Sequence, residues 1–129
     1  PTTVLTVRLV DQGADGLLLT QEGPSEARVW TLPGGPLPHG VSPAEALPLI
    51  MRERFRIVAS DLSLLGVEDT VLERVGRREH HVALMYAAGS LARTGALAPQ
   101  LSLRWSLGQL SLITWDWVVK RALMRALAR

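Results

Sequence analysis

Val29 to Ile57 reads VWTLPGGPLPHGVSPAEALPLIMRERFRI. Arg28 to Leu32 has the apolar, β-rich character of a short strand, and Pro33 ends it. Gly34 to Val41 is so dense in glycine and proline that no regular structure is expected there. A helix should begin at Ser42. Ser42 and Glu45 have the spacing of a capping box, and Pro43 falls at the first helical position, where its missing N–H costs nothing. Ala46, Leu47, Leu49, Ile50 and Met51 then continue an apolar face, which places Leu49 and Ile50 in the core. Pro48 removes one backbone hydrogen bond in the second turn, so it either kinks the helix or delays its start. The segment looks like a loop that holds a phosphate chain through backbone N–H groups, followed by a helix that holds metal ions. The helix, however, carries few carboxylates.

Working outward, Val4 to Asp11 and Gly16 to Glu22 read as strands, joined into a hairpin by the turn DQGADG. EGPSEA is a polar loop. Leu62 to Leu65 and Val67 to Val75 read as strand material. GRRE is a turn, and His80 to Ala88 is the clearest strand in the chain. GSLARTGALAPQ reads as a loop, and LSLRWSLGQL as a strand running into a turn. Thr114 to Ala128 reads as a helix whose apolar face is Trp115, Val118, Val119, Ala122, Leu123, Ala126 and Leu127. Lys120, Arg121 and Arg125 lie off that face, and so does Trp117, which if exposed would suit an oligomer contact. Strands, a helix, more strands and a last helix make an α+β fold, with one mixed sheet sandwiched between helices. At 129 residues the chain is sized for a single domain, 1–129.

Composition narrows the function classes. Apolar residues make up 47% and charged residues 20%, as in an ordinary globular domain. There is no cysteine, which excludes disulfides and thiolate metal sites. No apolar run approaches the ~18 residues of a membrane span, and PTTVLTVRLV lacks the pattern of a signal peptide. A cytoplasmic location and no membrane partner are therefore expected. The net charge is only +2, too small an excess to argue for nucleic acid.

The run VWTLPGG, followed by SPAEA and the helix, resembles the signature of the Nudix hydrolases. In that family the pattern is G-x5-E-x7-R-E-U-x-E-E-x-G-U, where U is apolar, usually preceded by an aromatic residue and LPGG. With Gly35 as the first glycine the spacing fits without a gap. Gly35 and Glu53 match the fixed positions. Val41, Leu49, Ile50, Arg54 and Arg56 stand where the family has Glu, Arg, Glu, Glu and Gly; Met51 and Ile57 fill apolar positions. The opening hairpin, HHVALMYAAG, LRWSLGQL and the final helix also resemble the Nudix order, so the resemblance runs along nearly the whole chain.

The resemblance implies a nucleotide-type ligand and, in active members, Mg²⁺ or Mn²⁺ bridging a diphosphate while water attacks phosphorus. Such ions need hard oxygen ligands. Of the glutamates that supply them in the family, only Glu53 remains, between Ile50 and Arg54. One unit charge ~5 Å from a divalent ion amounts to several kcal/mol at an effective dielectric of about 20, so Arg54 opposes binding. The resemblance therefore points to an impaired or inactive member that needs no metal, binding a nucleotide-like ligand or a protein partner, with a homodimer among the forms it would take. The alternative is an active metal-dependent pyrophosphohydrolase using Glu53 as the catalytic and metal-binding residue, with Glu79 and Asp69 recruited as further ligands. A third reading is an adaptor whose cleft does nothing.

Each candidate has a plainer reading. Trp30 would stack on a base or pack beneath the sheet. Gly34 and Gly35 would meet a phosphate or merely turn the chain. Arg52 and Arg54, with Arg56, would grip an anion through paired N–H groups or lie solvated at a helix end. Glu68, Asp69, Glu73 and Glu79 would most simply be solvated surface charges, and Glu45 is taken by the capping box. His80 and His81 point to opposite faces of a strand and cannot converge on a metal.

Overall fold

A computed structural model describes residues 2–13, 16–24, 26–94, 102–105, 109–110 and 113–128. The strands are β1 (Thr2–Leu9), β2 (Gln12–Gly13), β3 (Gly16–Glu22), β4 (Val29–Thr31), β5 (Gly34–Pro36), β6 (Ile57–Arg74), β7 (Arg77–Arg93) and β8 (Ser102–Trp105); the helices are α1 (Pro43–Phe55) and α2 (Trp117–Leu127). The first sheet has the order β5-β1-β7-β6. It is mixed: β1 runs parallel to β7 and antiparallel to β5, and β6 and β7 form a long antiparallel hairpin. In the second sheet β3 pairs antiparallel with β2, β4 and β8.

Alternation along β7 sets the layers. Leu84, Tyr86 and Ala88 pack with Val7, Leu9, Ala46, Leu47, Met51 and Phe55, which is the α1 side. Ala83 and Met85 pack with Leu17, Leu19, Leu32, Val119, Ala122 and Leu123, which is the α2 side. Successive residues of a strand face opposite ways, so the two helices cover opposite faces of the first sheet, as the sequence implies.

Several local expectations change. Within the expected turn DQGADG, Gln12 and Gly13 form β2 and pair antiparallel with β3, but β1 belongs to the other sheet; residues 14 and 15 lie outside the described residues. Gly34 to Pro36 forms a strand against β1. Glycine makes this possible: Gly34 has φ +148, and a Cβ there would stand 2.0 Å from the Val7 carbonyl oxygen. Pro36 is tolerated because β5 is an edge strand. Helix α1 starts at Pro43 with Ser42 as its N-cap, the Glu45 N–H donating to Ser42 Oγ, so Pro48 sits inside the helix and does not delay it. Leu49 is 51% exposed and not core, whereas Ile50 is half-buried against the α1-side cluster. The strand material expected in two pieces is one strand, β6, with an irregularity between Leu64 and Gly66. β7 continues to Arg93, past the expected loop start, and the rest of that loop from 95 to 100 lies outside the described residues, as do 106–108.

The last helix begins later than its periodicity suggests. Asp116 is the N-cap and accepts from the N–H groups of Val118 and Val119. Trp115 lies ahead of the helix in a single bridge with Trp30, yet it still packs with the α2-side cluster. Leu127 is exposed. Near the end of α2, Arg125 donates to the backbone carbonyl of Asp69 at 2.6 Å, on the outermost strand of the first sheet.

Candidate functional site

β1 begins the site because of its alternation. Val7 and Leu9 turn toward α1; Val4, Thr6 and Arg8 share the other face and line a cleft of ≈ 460 Å³. Gln21 and Glu22 at the end of β3, Arg28, Pro36, Arg54, His81 and Asp116 complete much of its wall. Three arginines face two carboxylates there, and one Asp116 oxygen already accepts α2 N–H groups.

Glu22 ties the arginines together. Its Oε1 lies 3.2 Å from Arg8 Nη1 and 3.7 Å from Arg54 Nη2. Arg8 Nη1 also donates to the Leu32 carbonyl at 2.9 Å. The Arg8 side chain is only 6% exposed, and its Nε has no acceptor among the described residues. Arg54 Nη1 donates to the Gly34 carbonyl at 2.7 Å. The guanidinium fits there because Gly35 has no side chain: a Cβ would come 2.8 Å from Arg54 Nη1. Arg54 also lies over the Phe55 ring, 5.3 Å from its centroid. It is therefore no freely solvated helix end, in contrast to exposed Arg52 and Arg56.

The other sequence candidates separate. Gly34 and Gly35 are buried in β5 beside Arg54. Trp30 packs partly buried against the α2-side cluster; its N–H donates to the Thr114 carbonyl and its carbonyl accepts from the Asp116 N–H. Glu53 is exposed on α1. Asp69 is exposed and paired with His80 at 2.6 Å. That hydrogen bond, the largest influence, lowers the Asp69 pKa; desolvation opposes it, and the His80 and Arg125 charges add lesser lowering effects. Glu79 is buried and contacts His81 at 3.1 Å and Arg77 at 3.2 Å. Glu68 is buried too, so of the four acids read as surface charges only Asp69 and Glu73 are exposed.

Both cleft carboxylates are already engaged, Glu22 by arginines and Asp116 by helix N–H groups. The Gly34 carbonyl beside the site is taken by a cation. Among the described residues no three His, Asp or Glu side chains group to hold a metal, so Glu53, Asp69 and Glu79 do not converge. No described helix is long and apolar enough to cross a membrane.

Arg8, Glu22, Arg28 and Asp116 are the charged cleft residues that sequence reasoning missed. Arg8 left a trace: it is the one charge in the alternating strand TTVLTVRL.

No family model and no curated protein matches the chain by sequence. Solved structures match it closely in shape. The E. coli ORF135 protein, in a solution structure, is 18% identical with a TM-score of 0.72, covering 98% of this chain and 92% of its own. The MutT NUDIX hydrolase from Burkholderia pseudomallei is 18% identical with a TM-score of 0.73, covering 98% and 97%. A crystal structure described as an ADP compounds hydrolase is 19% identical with a TM-score of 0.64, covering 97% and 69%. The chain has the Nudix hydrolase fold; instead of the single sheet expected, a mixed sheet with a helix on each face stands beside a second, antiparallel sheet.

Proposed function

We propose that this chain is a Nudix-fold binding module, catalytically silent or strongly impaired, whose cleft takes a nucleotide-like anion without a divalent ion. The observation that carries the reading is the Arg54 guanidinium on the Gly34 carbonyl, 2.7 Å away. It sets a fixed positive charge beside strand β5, in a cleft where arginines outnumber carboxylates. The likeness to a structure described as an ADP compounds hydrolase favours a nucleoside diphosphate derivative as the ligand class. A cytoplasmic location belongs to the same reading.

The competing reading is a metal-dependent pyrophosphohydrolase built on Glu53. It needs oxygens from elsewhere, and its recruits are engaged: Asp69 with His80, Glu79 with His81 and Arg77. Purified protein with Mg²⁺ or Mn²⁺, screened for phosphate release from nucleoside diphosphate derivatives, separates the two. The expected result is no turnover and thermal stabilisation by nucleotides in chelator. Metal-dependent turnover that disappears in Glu53→Gln would establish the competitor instead.

A homodimer through Trp117 is the protein-partner form of the module. Trp117 is 55% exposed, with Arg121 stacked 5.6 Å from its ring centroid. Sedimentation of the native chain beside Trp117→Ser checks it; a monomer in both removes the dimer.

A further inference from the structure

We propose that Arg8 and Arg54, held by Glu22, form a built-in cationic clamp that receives the terminal phosphate of the ligand in place of a divalent ion. This rests on the binding-module reading and names the residues and the chemical group involved.

Glu22 Oε1 reaches both guanidinium groups, so one carboxylate serves two cations and leaves a surplus positive charge. A guanidinium has five N–H donors. Arg54 commits Nη1 to the Gly34 carbonyl and shares Nη2 with Glu22, while its side chain, 35% exposed, still lines the cleft. Arg8 commits Nη1 twice and leaves Nε buried without an acceptor. A buried charged donor without a partner is costly to leave unmade; Nε is sealed from the cleft while Glu22 is in place, so a phosphate oxygen reaches it only as Glu22 moves aside. Glu22 already shows what the clamp selects, because its carboxylate is an anionic oxygen group held by both arginines. A phosphate offers more oxygens and more charge, and paired guanidinium contacts suit it geometrically. It would displace Glu22 from one or both arginines. Gly35 gives the clamp its space, since any side chain there would push Arg54 Nη1 aside.

Clamp and metal site exclude each other. A pair of arginines repels a divalent ion and attracts the anion that such an ion would otherwise bridge. Recognition of phosphate by this chain is thus expected to be insensitive to chelators.

The test is calorimetric titration of the full chain with inorganic pyrophosphate and with ADP, in EDTA and again in Mn²⁺. Binding is expected in EDTA and is not improved by Mn²⁺. Arg54→Gln, at a partly exposed position, should weaken it about tenfold, the scale of one charge-assisted hydrogen bond. Glu22→Gln, which releases both arginines, should bind at least as tightly as the native chain. Thermal melts of both variants confirm that each is folded. Tighter binding of ADP than of pyrophosphate places the nucleoside in the cleft as well; equal binding confines recognition to the phosphates, and either result is consistent with the clamp. Unchanged affinity in Arg54→Gln overturns the clamp while the module reading stands. Failure to bind either probe also overturns it, leaving only a protein partner for the module. Binding that requires Mn²⁺ and is lost in Glu53→Gln overturns both.

Discussion

A Cβ placed on Gly35 would stand 2.8 Å from Arg54 Nη1. The obstructing atom is the tip of a flexible side chain, so Gly35→Ala displaces the guanidinium rather than the backbone. The expected cost to folding is small, below about 1 kcal/mol, while pyrophosphate affinity falls with the Arg54 contact. Chemical denaturation beside calorimetry measures both, and a large loss of stability with intact binding would contradict the assignment.

The neighbouring glycine behaves oppositely. A Cβ on Gly34 would meet the Val7 backbone oxygen at 2.0 Å, from a φ of +148. Backbone cannot yield as a side-chain tip does, so Gly34→Ala should separate β5 from β1 and cost more than ~3 kcal/mol. Its urea midpoint, compared with that of Gly35→Ala, checks the contrast.

Arg56 ends α1 in the left-handed conformation, with φ 57 and ψ 38. A side chain there costs roughly 1 kcal/mol relative to glycine. Arg56→Gly should therefore stabilise the fold by about that amount, seen as a higher urea midpoint at unchanged slope. Destabilisation would show that Arg56 makes a contact worth more than the backbone strain.

Asp116 caps α2 through two N–H groups. Asp116→Ala should cost ~1 kcal/mol, and Asp116→Asn, which keeps an acceptor oxygen, considerably less. Equal losses in the two variants would point to the charge rather than the cap.

The Asp69–His80 pair gives a pH dependence with a defined sign. The folded state lowers the Asp69 pKa below its ordinary value of 3.8, chiefly through the His80 hydrogen bond. A lowered carboxyl pKa stabilises the fold above the ordinary value, and the contribution is lost as pH falls through the folded value. The stability difference between the native chain and Asp69→Asn should therefore be present near neutrality and shrink in acid below 3.8. The pair is exposed, so the effect is modest and weakens with salt.

Alternation and helical spacing made the layers legible. The opposite facing of Leu84 and Met85, the Ser42 cap and the apolar run through Val119, Ala122 and Leu123 are all local signals, and each appears in the fold. Strand β5 was hidden because its pairing depends on a glycine approaching the Val7 carbonyl from far along the chain. Trp115 fits the helical spacing but pairs with Trp30 instead. In the cleft, Arg54 was visible as a departure from the family pattern, but its hold on Gly34 was not. Arg8 and Glu22 are 14 positions apart, and only the packing of two sheets brings them together. A charge in a strand signals that something unusual faces it, not what that partner is.

Arg125 on the carbonyl of Asp69 also bears on the open edge of the first sheet. The strand it touches is 18 residues long, ends its sheet, and exposes Leu64, Leu65, Val67 and Val71. Such a ribbon is a template on which a foreign strand can grow. By occupying one of its acceptors with a bulky cation, the last turn of α2 interrupts that template at Asp69, so Arg125→Ala is expected to leave a longer continuous edge open to pairing.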